Sequence, residues 1–161
     1  MATTNAATTY LEHRILNFIF NNNAQVSSAN FGSGNANGLG SNIYVGLATA
    51  VSNFSDSTGE SADSVTVTEA TFGGYLRKQV TSWTLASATA NQQTAKNTGA
   101  IDFDAKTDSG TQTITHVFIN DSSDSSGTNN FLFIGALDAS KTLAEGDIFR
   151  INATNLSIEL K

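Results

Sequence analysis

Two runs of β-branched and aromatic residues, Ile114-Thr-His-Val-Phe-Ile119 and Phe131-Leu-Phe-Ile-Gly-Ala-Leu137, constrain this chain more than any other stretch. They flank a Ser/Asp/Asn/Gly cluster, the pattern of two strands and a connecting loop. In both runs apolar residues occupy neighbouring positions instead of every second one. A strand needs that only if both of its faces are covered, so the pair belongs at the centre of an all-β core.

The chain has 161 residues and no cysteine, which fits a single domain held by packing, with no thiolate metal site and no redox centre. Charged residues make up 14% and the polar remainder is rich in Ser, Thr, Asn and Gly, a composition that favours strands and turns over helices. A net charge of −6 with scattered basic residues argues against nucleic acid as a partner. The N-terminal apolar runs are too short for a signal peptide or a membrane span, so a soluble protein with no membrane partner is expected.

Residues 1–7 read as a flexible polar arm. Thr9-Tyr-Leu-Glu12 matches a capping box, and Leu11, Ile15 and Ile19, joined by Leu16 and Phe18, form an apolar stripe; the spacing predicts one α-helix over residues 8–22. Residues 24–42 form a long Gly/Asn-rich loop, of the kind that serves a contact function in a compact domain. Ile43–Leu47 reads as a buried strand, Val65–Thr68 as a half-exposed one, and Leu76–Leu85 as a long strand with a bulge or an edge. Ala86–Thr98 reads as a loop or weak hairpin. Strands are then expected at Ile101–Asp104, at the central pair, at Asp147–Ile151 and at Leu156–Leu160, with a turn over Lys141–Gly146. The fold class is therefore all-β: an antiparallel β-sandwich, jelly-roll or Ig-like, of about eight strands with one N-terminal helix, all within one domain spanning residues 1–161.

Reaction chemistry is poorly represented. His13 and His116 are the only histidines, and neither lies in a metal-ligand spacing. No serine sits in a nucleophile elbow. Asp102 and Asp104, two positions apart, could form a carboxylate pair acting on polysaccharide, although a solvated strand face is the commoner origin of such spacing. The loop Asp121–Gly127 lacks the later glutamate of a calcium loop, and Phe31–Gly38 lacks the ending of a phosphate cradle. No enzyme activity, cofactor or metal is expected. Long hydroxyl- and amide-rich loops suit binding instead. The candidate interface residues are Thr3, Thr4, Asn5, Tyr10, His13, Arg14, Phe31, Asn35, Asn37 and Arg77.

Read in order, several short motifs carry a resemblance: Tyr10–Asn17, Tyr44-Val-Gly-Leu47, Gly73-Gly-Tyr-x-Arg-x-x-Val80, Asn97-x-x-Ala-x-x-Phe103, Thr115-His-x-x-Ile-x-Asp121, Gly135-Ala-Leu137, Lys141-Thr-Leu143 and Gly146-Asp-Ile148. Across nearly its whole length the chain resembles small bacteriophage virion structural proteins, tail-fibre-like or capsid-decoration-like. That resemblance implies a virion component made in the host bacterial cytoplasm, with the major capsid protein or tail proteins of the same phage, and copies of itself, as partners. The first expectation is a decoration or cement protein that stabilises the major capsid shell. The alternative is a tail-fibre, tail-tip or tail-adaptor subunit, with host-glycan binding as one form of it, and a polysaccharide-acting enzyme is a remote third.

Overall fold

The computed structural model describes residues 43–54, 65–85, 93–123 and 131–160, which form antiparallel β-structure without a helix. Ten strands occur among them: β1 (Tyr44–Ser52), β2 (Thr66–Glu69), β3 (Lys78–Gln79), β4 (Trp83–Leu85), β5 (Gln93–Asn97), β6 (Ile101–Asp102), β7 (Gln112–Asn120), β8 (Phe131–Leu143), β9 (Arg150–Ile151) and β10 (Ser157–Leu160). The arm at 1–7, the helix at 8–22 and the loop at 24–42 lie outside the described residues.

The largest sheet runs β2-β1-β7-β8, with β3 also paired to β1. At its centre β7 aligns Phe118 with Gly46 on one side and Ile134 on the other. Its apolar residues divide between two clusters. Val117 and Ile119 join Val45, Leu47 and Leu132 in the larger cluster, whereas Phe118 joins Ala48 and Ile134 in the smaller. This split is why consecutive positions of the strand are apolar: alternate side chains enter different clusters. The register shifts between Ile119 and Asn120, where β8 has one residue more than its partner. The bulge turns Leu132 and Phe133 toward the same cluster.

A three-stranded sheet, β10-β5-β4, and the β6-β9 pair supply Trp83, Ile101, Ile151 and Ile158 to the larger cluster, so one core joins all three sheets. Asn97 fastens them together. Its wholly buried amide donates to the Gly99 carbonyl at 2.7 Å and the Asn152 carbonyl at 2.9 Å, and its oxygen accepts from the Leu156 amide at 2.9 Å. Each polar atom of the side chain is thus compensated, as burial demands.

Several boundaries differ from the sequence expectation, and the strands expected at Ile101–Asp104 and Asp147–Ile151 shorten to β6 and β9 as residues 103–104 and 147–149 pass into loops. Leu76–Leu85 is not one strand. Its residues form β3 on the large sheet and β4 on the three-stranded sheet, with the chain crossing between them around Val80, which is buried and whose carbonyl accepts from Trp83 Nε1 at 3.3 Å. Within Ala86–Thr98, residues 93–97 form β5, because the backbone pairs with β4 and β10 at once and needs no apolar side-chain pattern to do so. The central hairpin runs on to Leu143, so the turn begins only at Ala144. Leu143 is fully buried, and Thr113 and Thr142 share a 2.9 Å hydroxyl contact across the ladder.

Candidate functional site

The segment from Ala70 to Gln79 organises one end of the large sheet. β2 follows β1 as far as Ala70, whose amide donates to the Leu47 carbonyl at 2.8 Å. The chain then leaves the sheet and returns at Lys78, opposite Val45. Residues 71–77 are therefore a loop inserted into a single sheet edge, and they need something to close the neck.

Three polar side chains close it. Arg77 donates from Nε to Glu69 Oε1 at 2.8 Å and from Nη2 to Oε2 at 2.7 Å, a bidentate pair. Its Nη1 reaches the Ser122 carbonyl at 2.9 Å, and its guanidinium lies 5.2 Å from the centroid of the Phe118 ring. Tyr75 bridges the gap left in the ladder: its hydroxyl accepts from the Leu47 amide at 2.9 Å and donates to Glu69 Oε1 at 2.7 Å. Burial, reinforced by the neighbouring carboxylate, keeps that phenol protonated far above its ordinary range. The Arg77 and Glu69 side chains are only 1% and 15% exposed. Arg77, a candidate interface residue from sequence, is thus an internal tie. The other nine candidates, Thr3, Thr4, Asn5, Tyr10, His13, Arg14, Phe31, Asn35 and Asn37, lie outside the described residues.

The loop packs on a second one, residues 103–110. A Cβ at Gly73 would stand 2.6 Å from Thr107 Oγ1, and Gly74 has a positive φ of 90° with the Ala105 carbonyl 2.8 Å from where its Cβ would be. Side chains are excluded at both positions. Asp108 accepts from the Gly73 amide at 2.7 Å, and the Thr107 amide donates to the Gly73 carbonyl at 2.9 Å. Lys106, only 2% exposed, turns its ammonium back onto Asp108 Oδ1 at 2.9 Å and onto the Asp108 and Ser109 carbonyls. That hydrogen bond, with the one from Gly73, holds the Asp108 carboxyl below the usual range. A third loop, 144–149, joins through Gly146 and Asp147, which pair with the backbone of Lys106 at 2.8 and 2.9 Å. The Tyr75 and Phe149 rings each lie 6.0 Å from that of Phe103, so the three loops form one plate.

The other candidates take structural places. Asp102 is bound by Arg150 through two hydrogen bonds of 2.5 and 2.8 Å, which keep its carboxyl below the usual range, and Asp104 pairs with Lys78 at 2.8 Å. Each carboxylate is paired with its own cation, whereas a glycosidase needs one of its two carboxyl groups held protonated as the general acid. Among the described residues no group of three or more His, Asp or Glu could hold a metal ion, and no helix is long and apolar enough to cross a membrane.

His116 lies in β7 with Nδ1 2.7 Å from Thr115 Oγ1, while Thr115 donates to the Thr49 carbonyl at 2.9 Å. Partial burial lowers its pKa from 6.5. The unfolded chain therefore takes up this proton first as pH falls, and the native state loses stability below about pH 6.5. Urea titrations at pH 7.5 and 5.5 should show that loss, and His116→Gln should remove part of it; an identical loss in the variant would exclude His116 as its source.

A trough of about 600 Å³ lies between β8 and the β9–β10 region, with Phe133, Leu137, Ile151 and Ile158 as apolar walls and Lys96 and Asn152 among its polar lining. Among the described residues, Arg77, Asp102, Asp104 and His116 do not line it.

A scan against protein families matches residues 6–159 to the podophage GP4 fiber I protein gp80 family. The chain belongs to that family. It is therefore a component of the phage particle, a fibre-like virion structural protein assembled in the host. A search of curated proteins gives no match. The family is one of structural fibre proteins, and three of the motifs that carried the resemblance have physical roles. Gly73–Val80 builds the tied loop, Asn97–Phe103 joins the sheets, and Gly146–Ile148 makes the third loop.

Proposed function

We propose that this protein is a subunit of the phage tail-fibre apparatus, a β-sandwich closed by the helix at 8–22 and seated among other virion proteins. The observation that carries this reading is the family match over residues 6–159, whose description is that of a fibre protein. It favours the tail over the capsid-decoration role expected first, for which the match gives no specific support. The arm and the Gly/Asn-rich loop, with Thr3, Asn5, Phe31 and Asn35, are the proposed contacts to neighbouring subunits. Their hydroxyl and amide groups bond a partner backbone at low desolvation cost.

Counting copies per purified particle by quantitative mass spectrometry, together with gold-labelled antibody, tests the assignment. A handful to a few dozen copies at the tail is the expected result. Hundreds of copies spread over the head would overturn it in favour of decoration.

A further inference from the structure

The plate built by the three loops is locked far more firmly than its position at the end of a sheet requires. A buried arginine, a buried lysine and two glycines closed to side chains fix loops 71–77 and 103–110. The third loop turns through Gly146 at a positive φ of 87°, with Asp147 Oδ2 accepting from the Ala144 amide at 2.9 Å. From this rigid frame two large apolar side chains project into solvent: Leu76, 66% exposed, and Ile148, 55% exposed. Leu76 follows Tyr75 and Ile148 precedes Phe149, the two rings that flank Phe103, so each is carried by a loop of the plate beside a ring that packs inward.

The surrounding charge is acidic on balance: Asp104 pairs with Lys78, Asp108 with Lys106 and Asp102 with the exposed Arg150, which leaves the exposed Glu145 and Asp147 in excess. Two such plates would repel one another, which argues against a second copy as the occupant. Apolar side chains held in advance by a stiff backbone make effective binding anchors, since little conformational freedom is lost on contact.

We infer that this plate is a docking surface for another protein of the virion, one that offers apolar pockets for Leu76 and Ile148 ringed by lysine or arginine. The inference rests on the chain's being a virion component, and it holds for a tail or a head location alike.

Phage carrying Leu76→Asp with Ile148→Asp should incorporate at least ten-fold fewer copies per particle, while the isolated protein keeps its melting temperature to within about 2 °C, because exposed side chains contribute little to stability. Glu145→Lys should lower incorporation several-fold with both apolar residues intact. Wild-type incorporation of the double variant overturns the inference. So does an isolated wild-type protein that sediments as an oligomer which Leu76→Asp dissociates, since the occupant would then be a second copy. Should the double aspartate variant fail to fold, Leu76→Ser with Ile148→Ser is read by the same criteria. The location of the wild-type protein, measured separately, tests the fibre assignment and leaves this result standing.

Discussion

Replacing Arg77 by alanine should lower the unfolding free energy by about 3–5 kcal/mol, the usual cost of removing one member of a buried ion pair. The substitution strands Glu69, whose side chain is 15% exposed and whose two oxygens both accept from the guanidinium. Tyr75 still donates to that carboxylate, but one neutral hydroxyl cannot offset a nearly buried negative charge. The damage reaches the ladder as well, because the same hydroxyl satisfies the Leu47 amide where the sheet edge is interrupted. Urea unfolding of Arg77→Ala, compared with Arg77→Met combined with Glu69→Leu, separates the two costs. The paired apolar replacement should recover much of the loss, since no charge is left buried. A single variant within about 0.5 kcal/mol of the parent, the ordinary scale of a surface change, would show that the pair is exposed and unimportant in solution.

Arg77 also shows where sequence reading failed. A charged residue within an apparent strand reads as a solvent-facing position, because charges are rarely buried unless paired. Its partner, Glu69, is eight residues earlier, on the far side of a loop that no periodicity announces. The only hint was the Gly-Gly-Tyr-x-Arg spacing, with two glycines marking a backbone approach too close for a side chain. Lys106 was opaque for the same reason: its partners are the carbonyls and carboxylate of its own loop.

By contrast, the centre of the fold was legible. Consecutive apolar residues at Val117–Ile119 and Phe131–Ile134 require cover on both faces, and both faces have it. β5 was legible only as one arm of the weak hairpin that was an alternative to a loop over Ala86–Thr98. Gln93-Thr-Ala-Lys-Asn97 is held by backbone pairing to two neighbours, a property that depends on what lies beside it and leaves no mark in its own residues. The proposed contacts could be named from composition but not located, since loops that bind at low apolar cost carry no burial pattern.

Gly46→Ala should be among the most damaging single-methyl additions this chain can suffer. A Cβ at Gly46 would lie 2.1 Å from Phe118 Cζ, inside the contact distance of any two carbon atoms. The ring lies across the glycine on the neighbouring strand and cannot retreat. Arg77 sits over it at 5.2 Å, and Phe131 meets it edge to face at 5.2 Å between centroids. Overpacking of this kind costs typically 1–3 kcal/mol and more where nothing can move. Phe118→Ala alone should cost about 3–5 kcal/mol through the lost burial and the cavity left between the sheet and the guanidinium. The decisive measurement is the double variant. With the ring gone the new methyl has room, so Gly46→Ala should become nearly neutral in the Phe118→Ala background, giving a coupling of at least about 1 kcal/mol between the positions. Additive losses would mean that the glycine serves its backbone alone. The aromatic would then owe its place to Ala48 and Ile134, with no part played by the gap beneath it.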